Sequence, residues 1–167
     1  MSGELRSVEN TVVGQGSELG EFVAIHDCEI GENCRIWRFV NLYGCTIGDD
    51  CMIGSLVEIQ SDATIGDRCR VQSHAFICSL VEIEDDVFVS HGAKFVNDRY
   101  PPSNDEEDWE GTVVRSGASI GTNATLLPVE IGEKAMVGAG AVVTENVPAN
   151  AIVAGNPAEV VGYREEG

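Results

Sequence analysis

From Ile47 to Phe95 an aliphatic or aromatic residue falls at every sixth position: Ile47, Ile53, Ile59, Ile65, Val71, Ile77, Ile83, Val89 and Phe95. Four residues after each of the first eight stands a small or β-branched residue: Cys51, Val57, Ala63, Cys69, Ala75, Val81, Val87 and Ala93. On a helix, positions six apart would scatter around the circumference. On a strand both the fourth and the sixth residue return to the same face, because side chains alternate with a period of two. Short strands with one face always buried, joined by tight corners that need a small inward residue, make a parallel β-helix.

The pattern begins earlier, with Val13, Leu19, Ile25, Ile30, Ile36 and Leu42, and many of its aliphatic residues are followed by glycine. Three hexads make one triangular coil of about 18 residues, and coils stack about 4.8 Å apart. The register predicts a first face holding Val13, Ile30, Ile47, Ile65 and Ile83. Leu19, Ile36, Ile53, Val71 and Val89 define the second face, and Ile25, Leu42, Ile59, Ile77 and Phe95 the third. Hexads beginning at Ile25, Leu42 and Leu126 are one residue short, all at the end of the third face. After Phe95 the pattern lapses and resumes at Val114, Ile120, Leu126, Ile131, Val137 and Val143. The lapse predicts an external loop at about 98–113, rich in Pro, Ser, Asn and acidic residues, and long loops on a regular scaffold are usually functional. The stretch from Val147 onward is expected to leave the repeat as a short tail with a Gly-Asn-Pro turn. A single all-β domain over 1–167 is expected, associating through a flat face as a homotrimer.

Charge narrows the partners. The chain carries 28 acidic residues against ten Lys and Arg, a net charge of −18, and its only lysines are Lys94 and Lys134. Such a surface repels nucleic acid and anionic membranes. The scarcity of lysine points to a halophilic source, where salt screens dense carboxylates, against the alternative of an ordinary acidic solenoid. No apolar run approaches the length of a membrane span, and Met1–Asn10 is polar, without the apolar centre of a signal peptide. A cytoplasmic protein is expected. Cys34, Cys51 and Cys69 fall on small inward positions, and Cys28 and Cys45 on the equivalent places of shortened hexads. These are repeat spacings rather than the paired cysteines of a zinc site, so free core thiols are expected and no metal. Cys78 lies outside the pattern.

Three histidines and one loop carry the candidate chemistry. His26 lies at the start of the prism and reads as structural or solvated. His74 and His91 both follow second-face hexads in adjacent coils, which brings them to one corner, and Arg38 points to that corner too. Polar turn residues that happen to be histidine would give the same pattern. At the next corner Asn97, Asp98, Arg99 and Tyr100 offer amide, carboxylate, guanidinium and phenol to a polyhydroxylated ligand held by a neighbouring copy. The alternative is a loop that caps itself, with Asp98 and Arg99 paired.

The stretches RIWRFVNLYG (35–44), VQSHAFICSLVEIEDDVFVSHGAKFVNDRYP (71–101), GASIGTNATLLPVEIGEKAMVGAGAVVTENVP (117–148) and AIVAGNPAEVV (151–161) resemble the left-handed β-helix, hexapeptide-repeat acyltransferases. More narrowly, EDDVF followed by FVNDRYP, the loop and AGNPA is similar to the acetyltransferases that N-acetylate nucleotide-linked amino sugars for cell-surface glycans. The left-handed sense comes from that resemblance, and it runs against the usual right-handed crossover. The resemblance implies a trimer with acetyl-CoA between neighbouring prisms. Its pantetheine would run along Gly117, Ala118, Gly138, Ala139 and Gly140, with the adenine end near Asn156 and Pro157. A dTDP- or UDP-linked 3-amino sugar would meet Arg38, His91 and the Asn97–Tyr100 segment. Some relatives carry Asn, contacting the reacting amine, where this chain has His74.

The chemistry asks little of the protein. A neutral sugar amine attacks the thioester carbonyl, a main-chain N–H steadies the oxyanion, and His74 accepts or orients the amine. Holding both reactants in line supplies much of the rate. An O-acetyltransferase acting on a sugar or serine hydroxyl would use the same histidine as a stronger base, and a non-catalytic scaffold would keep only the prism. A metalloenzyme of the γ-carbonic anhydrase kind needs one histidine plus a pair five apart, which spacings of 48 and 17 between the three histidines do not supply.

Overall fold

A computed structural model describes residues 6–103 and 105–165. Among the described residues three sheets, parallel except for the last strand of the second, enclose one apolar core, with eight strands on the third face, seven on the first and nine on the second. The coil is a left-handed parallel β-helix. Its register is the one the hexads predict: Ile47 pairs with Ile65 and Ile65 with Ile83, Ile53 with Val71 and Val71 with Val89, and Ile59 with Ile77. Most strands are two residues long, one side chain in and one out. Each strand alone is too short to persist, so stability comes from stacking each coil on its neighbours.

The prism is longer than the hexad count suggests. Arg6–Glu9 adds a strand below the first coil on the third face. Residues after Val147 do not leave the repeat at once. Ala151–Gly155 lies parallel on the second face beside Met136–Val137, with Ala151 and Val153 buried. Only then does the chain reverse, and Ala158–Tyr163 pairs antiparallel with it. A paired inward alternation continues through Val153, although the sixfold spacing has already lapsed. Cys78 also joins the core, as do the other five cysteines, all free. Its hexad neighbour beneath is Gln60, so no apolar column announced it; burial pushes its thiol up to about 11. Cys34 and Cys51 donate to the Gly48 and Gly66 carbonyls at 3.0 Å each.

Corners decide where polar groups go. At the corner between the first and second faces, Asn33, Asp50, Arg68 and Asp86 stack in the left-handed conformation, φ 55–59°. Each donates its N–H to a carbonyl one coil below. One position earlier stand Asp49, Asp67 and Asp85. Their carboxylates accept the N–H of Glu32 (2.7 Å), Asp49 (2.9 Å) and Asp67 (2.9 Å), the residue beneath each. This aspartate ladder seals the corner. It also explains the glycines that precede it: a Cβ on Gly48 would lie 2.3 Å from Asp67 Oδ1 and 2.8 Å from the Gly66 carbonyl carbon. Gly48→Ala should therefore cost about 1–3 kcal/mol through overpacking, read as a lower urea midpoint at unchanged slope.

The ladder stacks like charges about one coil apart in a chain of net charge −18. Arg68 clamps Asp85 and Asp86 at 3.1 and 2.8 Å, and Arg115 joins Glu84 and Glu130 at 2.8 and 2.9 Å. Repulsion elsewhere is relieved mainly by salt, since the Debye length shrinks from about 10 Å at 0.1 M to about 3 Å at 1 M. Raising KCl over that range should raise Tm. A Tm that falls with KCl would count against the halophilic reading.

Candidate active site

The corner between the second and third faces is built differently. In its third turn position stand Phe22, Phe39, Leu56, His74, Gly92, Asn123 and Gly140, all with positive φ. His74 holds φ 65° and donates its N–H to the Ser55 carbonyl at 3.0 Å. Histidine enters this backbone region more readily than most residues that carry a Cβ. One position earlier run Glu21, Arg38, Ser55, Ser73, His91, Thr122 and Ala139. The aspartates of the sealed corner have no counterpart above Ser73, His91 and Thr122. No carboxylate from the next coil therefore covers those turn N–H groups.

His74 and His91 are both exposed and stand in adjacent coils at this corner, as the spacing predicts. Arg38 shares the corner but not their level. It lies two coils below His74, about 10 Å along the edge, and pairs with Glu21 at 3.3 Å. The cation beside His74 is instead Lys94, whose Nζ donates to the His74 carbonyl. Lys94 is the outward residue of the next coil on the third face, paired with Phe76. That register could have identified it. Ser90, almost buried, and Thr122 share a hydrogen bond of 2.8 Å next to His91. His26 sits apart, 3.4 Å from Ser7 Oγ and 3.7 Å from Glu9.

The proposed cofactor residues divide between two corners. Gly138, Ala139 and Gly140 lie on the histidine edge, two coils above His91, and Asn156–Pro157 forms the hairpin turn at its upper end. A Cβ on Gly140 would meet nothing within 4 Å, so the edge is open there, whereas one on Gly138 would lie 3.1 Å from the Val153 carbonyl oxygen. Gly117 and Ala118 belong to the opposite, aspartate-lined corner, and Ala118 points into the core with no exposure. The second face separates the two groups, so one prism does not bring them into a single groove.

The loop occupies 96–112, between strands Lys94–Phe95 and Val113–Val114, with a short 3-10 turn at Glu106–Asp108. It leaves the corner between the third and first faces and does cap itself, but not by pairing Asp98 with Arg99. Asp98 accepts from the N–H of Tyr100 (3.0 Å) and from the N–H and hydroxyl of Ser103 (2.7 and 2.8 Å). Those donors, the Ser103 N–H first, hold its carboxyl below the usual carboxylate range. Arg99 donates to the Pro128 carbonyl at 2.6 Å. Both charged groups thus hold the loop's shape. Asn97 accepts the Glu110 N–H through its carbonyl, and Tyr100 is 84% exposed. Trp109 lines a cavity of ≈ 540 Å³ together with Tyr43, Gln60 and Leu80. Its indole N–H is buried without a partner among the described residues.

A triangular prism with one sealed and one open corner, glycine-rich above a pair of histidines, defines a hexapeptide-repeat β-helix protein. Residues 1–97, more than half of the chain, match the family described as the GMPPB C-terminal domain, and residues 112–145 match the hexapeptide repeat of succinyl-transferase. The chain belongs to the family described as the GMPPB C-terminal domain. Among curated relatives, a dTDP-3-amino-3,6-dideoxy-alpha-D-galactopyranose 3-N-acetyltransferase of Aneurinibacillus thermoaerophilus is 50% identical over 58 residues, 34% of this chain and 30% of that protein. The matched stretch spans a fifth to a third of the length of the curated relatives. Among solved structures, a UDP-N-acetylglucosamine acyltransferase from Bacteroides fragilis superposes with a TM-score of 0.70 at 17% identity, covering 98% of this chain and 74% of that one. A mutant of AntD, an N-acyltransferase from Bacillus cereus in complex with dTDP and coenzyme A, gives 0.57 at 22% identity, covering 95% and 86%. At these identities the likeness is one of fold.

Proposed function

We propose that this chain is an acetyl-CoA-dependent N-acetyltransferase acting on a dTDP- or UDP-linked amino sugar, as a cytoplasmic homotrimer. The observation that carries this reading is the open edge, where exposed His74 and His91 lie below uncovered turn N–H groups and Gly138–Gly140. Pantetheine amides would meet those N–H groups, with the adenine end toward Asn156–Pro157. The thioester would then stop at the level of the histidines.

His74 accepts a hydrogen bond from the sugar amine and orients its lone pair. The amine nitrogen bonds to the thioester carbonyl carbon, a turn N–H of the edge steadies the oxyanion, and the C–S bond breaks. The amine's proton passes to His74 and then to the departing thiolate. Lys94, bound to the His74 carbonyl, holds the turn and adds positive charge where the thiolate forms. A neighbouring prism would bring Tyr100 and Asn97 against the sugar, while Asp98 and Arg99 keep that loop in shape. Thiol release from acetyl-CoA, followed across dTDP- and UDP-linked 3-amino and 4-amino sugars at high and low KCl, tests the reading. Release with none of these amines, but with the matching hydroxyl sugars, would make the protein an O-acetyltransferase instead.

A further inference from the structure

A local departure from the chain's acidity lies below the histidines on the same edge. A cavity of ≈ 460 Å³ is lined by Arg6, Arg35, Trp37 and Arg38 and also by Glu18 and Glu21. Three of the ten lysines and arginines of a chain with net charge −18 converge there. Against two glutamates the cavity carries a formal charge of about +1. Trp37 is 44% exposed, and the Arg35 guanidinium lies 5.0 Å from its ring centroid. Arg35–Glu18 and Arg38–Glu21 are solvent-exposed contacts of 3.3 Å each, pairs that contribute little by themselves. A diphosphate carries more charge than a carboxylate and matches the guanidinium fork, so it can take these arginines from their glutamates.

We infer that this cavity is the subsite for the nucleoside diphosphate part of the substrate. The base lies on Trp37, and the diphosphate on Arg35 and Arg38 with Arg6. The inference rests on the acetyl-transfer reading and deepens it. Arg38 stands two coils below His74, about 10 Å, a gap that a diphosphate-linked pyranose spans. The edge then orders both substrates end to end: nucleotide at the first two coils, reacting amine at His74, thioester and pantetheine above. Arg38, too distant to touch the amine, finds its role in this order.

Calorimetry with dTDP, UDP and sodium pyrophosphate, on the full-length protein at low KCl, tests it. Nucleoside diphosphates should bind more tightly than pyrophosphate. Arg35→Gln and Trp37→Ala should each weaken them about tenfold or more, the scale of one lost charge-assisted or stacking contact. Arg115→Gln, which removes one positive charge at the opposite corner, should leave binding unchanged, and unaltered thermal melts would show the variants folded. In a Trp109→Phe background dTDP should still quench the fluorescence of Trp37. Equal affinity in wild type, Arg35→Gln and Trp37→Ala overturns the inference, as does the absence of any nucleotide binding. Acetyl transfer with KM for the nucleotide sugar unchanged in both variants overturns the subsite and leaves the function standing. Nucleotide binding lost in both, with no amino sugar acetylated, leaves the subsite standing and removes the function.

Discussion

Replacing His74 with alanine is expected to lower kcat for acetyl transfer by about 10²–10³-fold, within the usual range for a positioned acid–base group. KM for acetyl-CoA should change little. His74 lies outside the stretch assigned to pantetheine, so its loss removes an interaction made at the reacting amine rather than uniform binding. Alanine keeps the Cβ that histidine already places at φ 65°, so the backbone loses only histidine's modest preference for the left-handed region. His74→Asn separates the two effects. Asparagine tolerates the turn and keeps a hydrogen-bond acceptor but cannot carry the proton. It should fold like the wild type and fall between wild type and His74→Ala in rate. Thiol release at saturating acetyl-CoA and sugar measures this directly. An alanine variant with wild-type kcat would remove His74 from the mechanism.

The largest stability effect is expected at Phe95, the bulkiest of the fully buried side chains, 1% exposed. It closes the fifth coil just before the loop departs and packs in register with Leu126 above it. A solenoid cannot repack around such a gap from the side, because each coil touches only the coils above and below. Phe95→Ala should cost about 3–5 kcal/mol, which at about 2–4 °C per kcal/mol is roughly 6–20 °C in Tm. Phe88 serves as the comparison: it points outward on the second face and is 38% exposed. Its replacement by alanine should cost less than about 1 kcal/mol. Equal losses at the two positions would mean that the inward register is not what holds the tube together.

Much of the candidate site was legible before any coordinates. His74 and His91 follow second-face hexads in successive coils, so a register count alone brings them to one corner. The same count puts Arg38 on their edge but not at their height, since a corner runs the full length of the prism. Gly117 and Gly140 look alike in sequence and hold nearly the same φ, 69° each, yet they stand on opposite sides of the second face. Asp98 and Arg99 were candidates for a ligand because both are charged and share a loop. In place, Asp98 is occupied by Ser103 and Tyr100, and Arg99 by Pro128. Lys94 is an outward strand residue whose side chain reaches back one coil to the His74 turn.

What residue order determined by itself was the tube: three faces, their register, and which hexad side chains enter the core. That follows from covalent geometry, because a strand alternates its side chains strictly and every coil repeats the contacts of the last. Only the tertiary structure decided how the corners are used. A turn's N–H is either covered by an aspartate from the next coil or left for a ligand, and a charged side chain either braces a loop or faces solvent. Those outcomes depend on side-chain reach and hydrogen-bond competition between coils, neither of which has a period to read.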